Sequence, residues 1–306
     1  KYKPSSAEET EKVLKELEGG EYVVSKVKKA VAKSHAPAPF TTSSMQQDAS
    51  NKLGFTSPET MSLAQHLYEG IETESGDHIA FITYMRTDSV RISAEAQADA
   101  LSRIRTIYGA EYAPEKPNFY ATKKGAQDAH EAVRPIDLEM TPEKAKGLLD
   151  RKHYALYKLI YERFLASQMA EARYNSTQME IDNSGYIFKA SGRVLLFAGY
   201  TKIYEETVQK KEDEDEPSSA KLLPDLKEGD KLDLLSMLKE QKFTKPPLRY
   251  TDASLVKAME EKGIGRPSTY ATIISKLNQK YVKKDGKYML PTSVAYNVVD
   301  MLVKCF

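Results

Sequence analysis

The 306-residue chain has one cysteine, Cys305, so neither an internal disulfide nor a cysteine-based zinc site can form within it. A lone thiol suits a reducing, cytoplasmic setting, where its simplest role is that of a small hydrophobic side chain. No apolar run approaches the ~20 residues needed to span a bilayer, and no membrane partner is expected. A G-x-x-x-x-G-K-[ST] loop is also missing, which removes one common nucleoside-triphosphate cradle. Nor is either charge in excess: 45 Lys and Arg stand against 44 Asp and Glu.

That balance conceals segregation. Residues 205–216 carry seven acids against Lys210 and Lys211, whereas residues 242–287 carry eleven Lys or Arg against four acids. For a phosphate-bearing partner the local basic patch matters more than the total. The acidic run has almost no apolar residue and reads as an exposed loop.

The length allows two or three domains. Ser5–Leu17 reads as a helix with Ser6 as N-cap and Glu9 completing a capping box, and Glu21–Val27 alternates like a strand. Helical spacing recurs over Thr42–Leu53, Pro58–Glu69, Ser93–Ile107, Thr141–Leu149 and His153–Ala166. Strand-like runs follow at Ser176–Ile181, Tyr186–Ala190, Phe197–Ile203 and Lys231–Leu238. Near the end, Thr251–Lys262 and a helix opening at Pro267 flank a glycine-rich turn, and Asp285-Gly286 marks a hairpin before a helix at Thr292. This order suggests a winged-helix-like module.

Ile79–Tyr84 is expected to be a short strand, and alternation would then put Tyr84, Arg86 and Asp88 on one face. A phenol, a permanent cation and a carboxylate can together attack a phosphodiester, neutralise its oxygens and hold the cation. Most of the 19 tyrosines must serve packing or surface roles, so spacing alone leaves Tyr84 open between those readings. His130 and Arg134 would share a face if their segment is helical. Arg266, with Ser268 and Thr269, is expected at a helix N-terminus, where free N–H groups favour phosphate.

Ile82-Thr83-Tyr84-Met85-Arg86-Thr87-Asp88-Ser89 resembles the active-site signature of type IA DNA topoisomerases. Met85 is closer to the bacterial topoisomerase I branch than to topoisomerase III or reverse gyrase. Further segments resemble that family in the same order: Ala38 to Ser43 with Gln46-Gln47, Ala64 to Gly70, Ala129 to Pro135, Phe243 to Pro247 and Gly263 to Ala271. The resemblance covers nearly the whole chain. It implies an α+β multidomain toroid fragment. Residues 1–36 and 171–241 would form a β-rich arch, 37–170 a helical gate domain carrying the catalytic tyrosine, and 242–306 part of a helical base.

By the same resemblance Tyr84 attacks single-stranded DNA and becomes a 5′-phosphotyrosine, Arg86 steadies the charge, and His130 contacts DNA beside the scissile phosphate. Gln65, Asp88, Arg134, Arg266, Ser268 and Thr269 would bind DNA, with Asp88 and Ser89 also positioning Arg86. Resealing needs no ATP, and negatively supercoiled duplex would be relaxed. The family's TOPRIM domain, with its catalytic Glu and Asp-x-Asp-x-x-Gly magnesium site, has no counterpart here. The nearest match, Asp213-Glu214-Asp215, is followed by Glu216-Pro217 and is rejected as a metal site. Zinc-ribbon repeats are missing as well. The expectation is a monomeric, cytoplasmic, nucleoid-associated fragment of a larger enzyme, binding no metal itself and inactive in relaxation. Mg2+ would serve the full-length enzyme. A noncatalytic winged-helix DNA-binding protein is the alternative, and a decatenating topoisomerase III a third reading.

Overall fold

The structure, a computed structural model, describes residues 4–72, 76–121, 130–205 and 223–305. In chain order, α1 (Ala7–Leu17) and β1 (Tyr22–Ser34) precede α2 (Thr42–Asp48), a π-type turn at Ala49–Leu53, and α3 (Ser57–Glu69). The short pair β2 (Ile71–Glu72) and β3 (His78–Ile79) is followed by α4 (Ala94–Tyr108), α5 (Pro142–Ala145) and α6 (Arg151–Gln168). Next come β4 (Ala172–Asn183), β5 (Tyr186–Phe197) and β6 (Lys231–Leu232). The C-terminal run is α7 (Asp252–Glu261), α8 (Tyr270–Lys280), β7 (Val282–Asp285), β8 (Tyr288–Pro291) and α9 (Ser293–Cys305). No helix among the described residues is long and apolar enough to cross a membrane.

The chain divides into two compact units. The first takes in the described residues within Lys1–Ser34, Ala172–Ala198 and Lys210–Pro246. Its antiparallel sheet has the strand order β5-β4-β1-β6. The β4–β5 hairpin turns through Ser184 and Gly185, both at positive φ (55° and 85°), the twist that a two-residue hairpin loop requires. Val24 and Met179 supply its buried apolar side chains, and the Asn183 amide donates to the carbonyl of Leu17 at the end of α1.

The second unit comprises His35–Glu171, Gly199–Gln209 and Pro247–Phe306, as far as these are described. Its centre is α6, whose Leu156, Tyr157, Ile160, Phe164 and Leu165 are almost wholly buried. Spacings of three and four put these side chains on one broad face, and α3, α4 and α5 close over it. Desolvation pushes the Tyr157 phenol well above its ordinary value, so it stays neutral and donates to the Met140 carbonyl at 2.5 Å. A smaller core of Val256, Met259, Tyr270, Ile274 and Met289 joins α7, α8 and the β7–β8 hairpin. Beside it the Lys284 ammonium pairs with the buried Asp252 carboxylate at 2.6 Å.

Several sequence expectations are corrected. Of the strand expected over Ile79–Tyr84 only Ile79 lies in a strand, paired as part of His78–Ile79, and Ile82 makes an isolated bridge to Pro135. The run Lys231–Leu238 pairs only at Lys231–Leu232, and Phe197–Ile203 leaves the sheet at Phe197 to make a 3-10 turn. The helix expected over Thr141–Leu149 is the single turn Pro142–Ala145. The second C-terminal helix begins at Tyr270 rather than Pro267, because Arg266 to Thr269 first close a turn of their own. Ser6 does cap α1, but the Glu9 carboxylate reaches back to Ser5 instead. The acidic run beyond Glu205 lies outside the described residues.

Gly199 shows why the chain can re-enter the second unit where it does. Its φ is +50°, and a Cβ there would stand 2.5 Å from the backbone of Ala170 and Glu171. Gly54 also has positive φ (+72°), but nothing lies within 4 Å of its missing Cβ. Gly54→Ala should therefore cost only the left-handed strain of ~1–2 kcal/mol, whereas Gly199→Ala adds a backbone clash and should cost clearly more. Urea unfolding of the two variants checks this, and equal losses would contradict it.

Candidate active site

The nine residues Phe81–Ser89 carry the site, and their conformation is set by partners far away in sequence. The Thr83 N–H donates to the Arg134 carbonyl at 2.9 Å, and the Arg134 N–H returns to the Thr83 hydroxyl at 3.0 Å. That hydroxyl in turn donates to the Ala132 carbonyl at 2.7 Å. At the other end, the Thr42 hydroxyl donates to the Met85 carbonyl at 2.6 Å and accepts from the Thr87 N–H at 2.8 Å. Thr42 is the first residue of α2, and its own N–H donates to the Thr87 carbonyl at 2.8 Å. Two threonine hydroxyls thus replace a strand ladder.

Held this way, the segment keeps the alternation expected of a strand. Met85, Thr87 and Ser89 point into the core, while Tyr84 and Asp88 are half-buried and Arg86 is exposed. The Tyr84 ring lies 5.0 Å from the His130 ring and meets the Tyr68 ring edge-on at 5.4 Å. Residues 130–135 are extended rather than helical, with Val133 bridged to Phe40 and Pro135 to Ile82. The helical face expected to join His130 and Arg134 therefore does not exist. Proximity to Tyr84 comes instead from the cross-chain bonds to Thr83. The first residue of that run, Ala129, lies outside the described residues.

Arg86 lines a groove of about 500 Å3 between α3 and α8. Gln65 and His66 line its α3 side; Ser268, ahead of α8, and Lys276 line the other. The Gln65 amide donates to Glu69 one turn along the same helix. Asp88 lies within electrostatic reach of Tyr270, the first residue of α8. Burial pushes the Tyr270 phenol up, and the charges of Glu260 and Asp88 add to that while Arg266 opposes it.

The remaining expected residues are distributed less simply. The Arg266 guanidinium donates to the Gly265 carbonyl at 2.8 Å, and the Arg266 backbone N–H donates to the Thr269 hydroxyl at 2.8 Å. Arg266 thus precedes the helix by four residues, and Thr269 is occupied in closing that turn. Arg134 is ion-paired with Glu131 at 2.7 Å and lines a different cavity, of about 360 Å3, together with Glu95, Asp99 and Asp137. Sequence reasoning missed Thr42, Thr83 and Tyr68 as supports. Nothing local marks a threonine hydroxyl as a long-range peg.

No three His, Cys, Asp or Glu side chains among the described residues gather as a metal-ligand set. The described residues therefore offer no set that fits a magnesium ion.

A family model described as DNA topoisomerase matches residues 1–306. DNA topoisomerase 1 of Campylobacter jejuni is 44% identical over 296 residues, covering 96% of this chain and 41% of that protein. DNA topoisomerase 1 of Helicobacter pylori (strain 26695) is 44% identical over 298 residues, 97% of this chain and 39% of its own length. The solved full-length topoisomerase I of Thermotoga maritima is similar with a TM-score of 0.79 and 40% identity, over 98% of this chain and 47% of that one. The chain spans about two fifths of the length of these curated relatives.

Thr42→Val tests the pegs described above. It leaves the Met85 carbonyl and Thr87 N–H without their hydroxyl partner in a buried site, at a cost of ~1–3 kcal/mol each at most. The urea midpoint should fall accordingly, and an unchanged midpoint would mean that the hydroxyl is dispensable.

Proposed function

The chain belongs to the DNA topoisomerase family, in its bacterial type IA topoisomerase I branch, and from that premise we propose that it supplies the nucleophile-bearing part of a strand-passing enzyme. One observation carries this reading: Tyr84 sits half-buried between the His130 and Tyr68 rings, with the exposed Arg86 two residues on lining an open groove. An unperturbed phenol attacks poorly at neutral pH, so the site must stabilise the charge that develops at phosphorus. A guanidinium offers two parallel N–H donors that match phosphate oxygens.

In the proposed reaction the Tyr84 oxygen attacks phosphorus in single-stranded DNA and the P–O3′ bond breaks. The phenol proton is lost and the departing 3′ oxygen gains one, so the products are a 5′-phosphotyrosine and a free 3′-hydroxyl. One phosphodiester replaces another, and the reverse reaction reseals the strand without ATP. His130 contacts DNA beside the scissile phosphate. Its ring lies beside that of Tyr84, within reach of the same phosphate. Gln65 and Ser268 extend the contact along the groove; Asp88, Arg266 and Thr269 are further DNA contacts, for which Arg266 must give up the Gly265 carbonyl, while Arg134, engaged by Glu131, stiffens the 131–135 strip that holds Thr83.

Residues 1–36 and 171–241 serve as the arch, 37–170 as the gate, and 242–306 as a winged-helix-like part of the base. The complete enzyme, a cytoplasmic, nucleoid-associated monomer, uses Mg2+ held in a TOPRIM domain outside this chain and relaxes negatively supercoiled duplex.

In the complete enzyme, Tyr84→Phe should abolish covalent capture of 3′-labelled single-stranded DNA while leaving DNA binding within about twofold. Adduct formation equal to the parent enzyme would exclude Tyr84 as nucleophile. Purified as it stands, the 306-residue chain should bind oligothymidylate but not relax a plasmid. Arg86→Ala should weaken that binding about tenfold, the worth of one charge-assisted phosphate contact.

A further inference from the structure

His66 was not singled out by its sequence context, yet it lines the same groove as Arg86. Its Nδ1 lies 3.1 Å from Nε2 of His153, and His153 Nδ1 lies 2.7 Å from a carboxylate oxygen of Asp150. The two imidazoles face each other with centroids 5.3 Å apart. From this geometry we infer that Asp150, His153 and His66 form a proton relay that makes His66 a phosphate-binding residue of the Arg86 groove. The inference rests on that groove receiving DNA.

The direction of the relay follows from its far end. Asp150 caps α6, its other oxygen accepting the N–H groups of Lys152 and His153 at 2.8 and 3.0 Å. Hydrogen bonds from the His153 backbone N–H and then its ring hold this carboxyl below its ordinary value, so it is a charged acceptor. His153 must therefore donate from Nδ1, which makes its Nε2 the acceptor in the neutral ring. His66 must then donate from Nδ1, and Nε2 is the nitrogen left to the groove. Uptake of one more proton at that Nε2 gives an imidazolium with an N–H for a phosphate oxygen.

Other charges facing His66 are few. Arg86 and Lys276 line the groove with it, and a bound phosphate would meet all three. Glu69, one turn along α3, accepts from Gln65. Glu59 of α3 and Lys152 of α6 pair with each other at 2.6 Å. Asp48, the only ionisable group of α2, is taken by Tyr204 and Arg163. The remaining cation of α8, Lys280, lies over the Tyr281 ring.

The test uses the 306-residue chain, labelled oligothymidylate and fluorescence anisotropy between pH 8 and pH 6. Binding should tighten several-fold across that range. His66→Gln and His153→Gln should each flatten the dependence. At pH 6 His66→Gln should also reduce the slope of log Kd against log salt by ~0.7, one phosphate contact on a single strand. Nitrogen NMR of the free chain at pH 8 should show both rings protonated at Nδ1. Thermal unfolding verifies that the variants are folded. If Arg86→Ala weakens binding but His66→Gln keeps the full pH response, or His66 carries its proton on Nε2, the relay is overturned and the groove stands. If oligothymidylate fails to bind at any pH, the groove falls, and the inference with it.

Discussion

Everything at this site depends on a backbone segment without a sheet to hold it. In a strand, ladder bonds from both neighbours fix the direction of each side chain. Between Phe81 and Ser89 those bonds come from a helix end on one side and a strip containing a proline on the other. Pro135, bridged to Ile82, has no N–H to give. The Thr83 hydroxyl supplies what the ladder lacks, accepting from Arg134 and donating to Ala132. The Thr42 hydroxyl does the same at Met85 and Thr87. With Met85, Thr87 and Ser89 fixed inward, Tyr84 and Arg86 have no choice but to face the other way.

Elements whose signals are local were legible in the sequence. Helix α4 spans Ala94–Tyr108 between a Ser93 N-cap and Gly109, close to the Ser93–Ile107 that spacing indicated. The β7–β8 hairpin turns where Asp285-Gly286 suggested. Elements that need a distant partner were not. Phe81 and Ile82 resemble strand residues because they are buried, at 2% and 0% exposure, and burial selects the same side chains with or without a ladder. Lys231–Leu238 has strand composition, but only Lys231 and Leu232 find partners on β1.

The candidate site was legible for a different reason. Tyr84, Arg86 and His130 were picked out through resemblance to a family. Geometry adds that the two rings and the groove belong to one compact unit. His66 could not have been found that way. Its significance comes from His153, 87 positions away, and from a carboxylate whose evident purpose is capping α6.

Arginine pairing explains why one guanidinium rather than another is suited to a phosphate. Arg163 is nearly buried; it donates to the Ala38 carbonyl at 2.6 Å, approaches Asp48, and lies over the rings of Phe40 and Tyr204. Arg134 is committed to Glu131, and Arg266 to the carbonyls of its own turn. Releasing a committed guanidinium would leave a carboxylate or carbonyl unpaired, a loss that a new phosphate contact must first offset. Arg86 has no such partner among the described residues and remains exposed, so only water need leave when an anion arrives. In a chain whose charges nearly cancel, attraction for a polyanion depends on which cations are uncommitted rather than on how many there are.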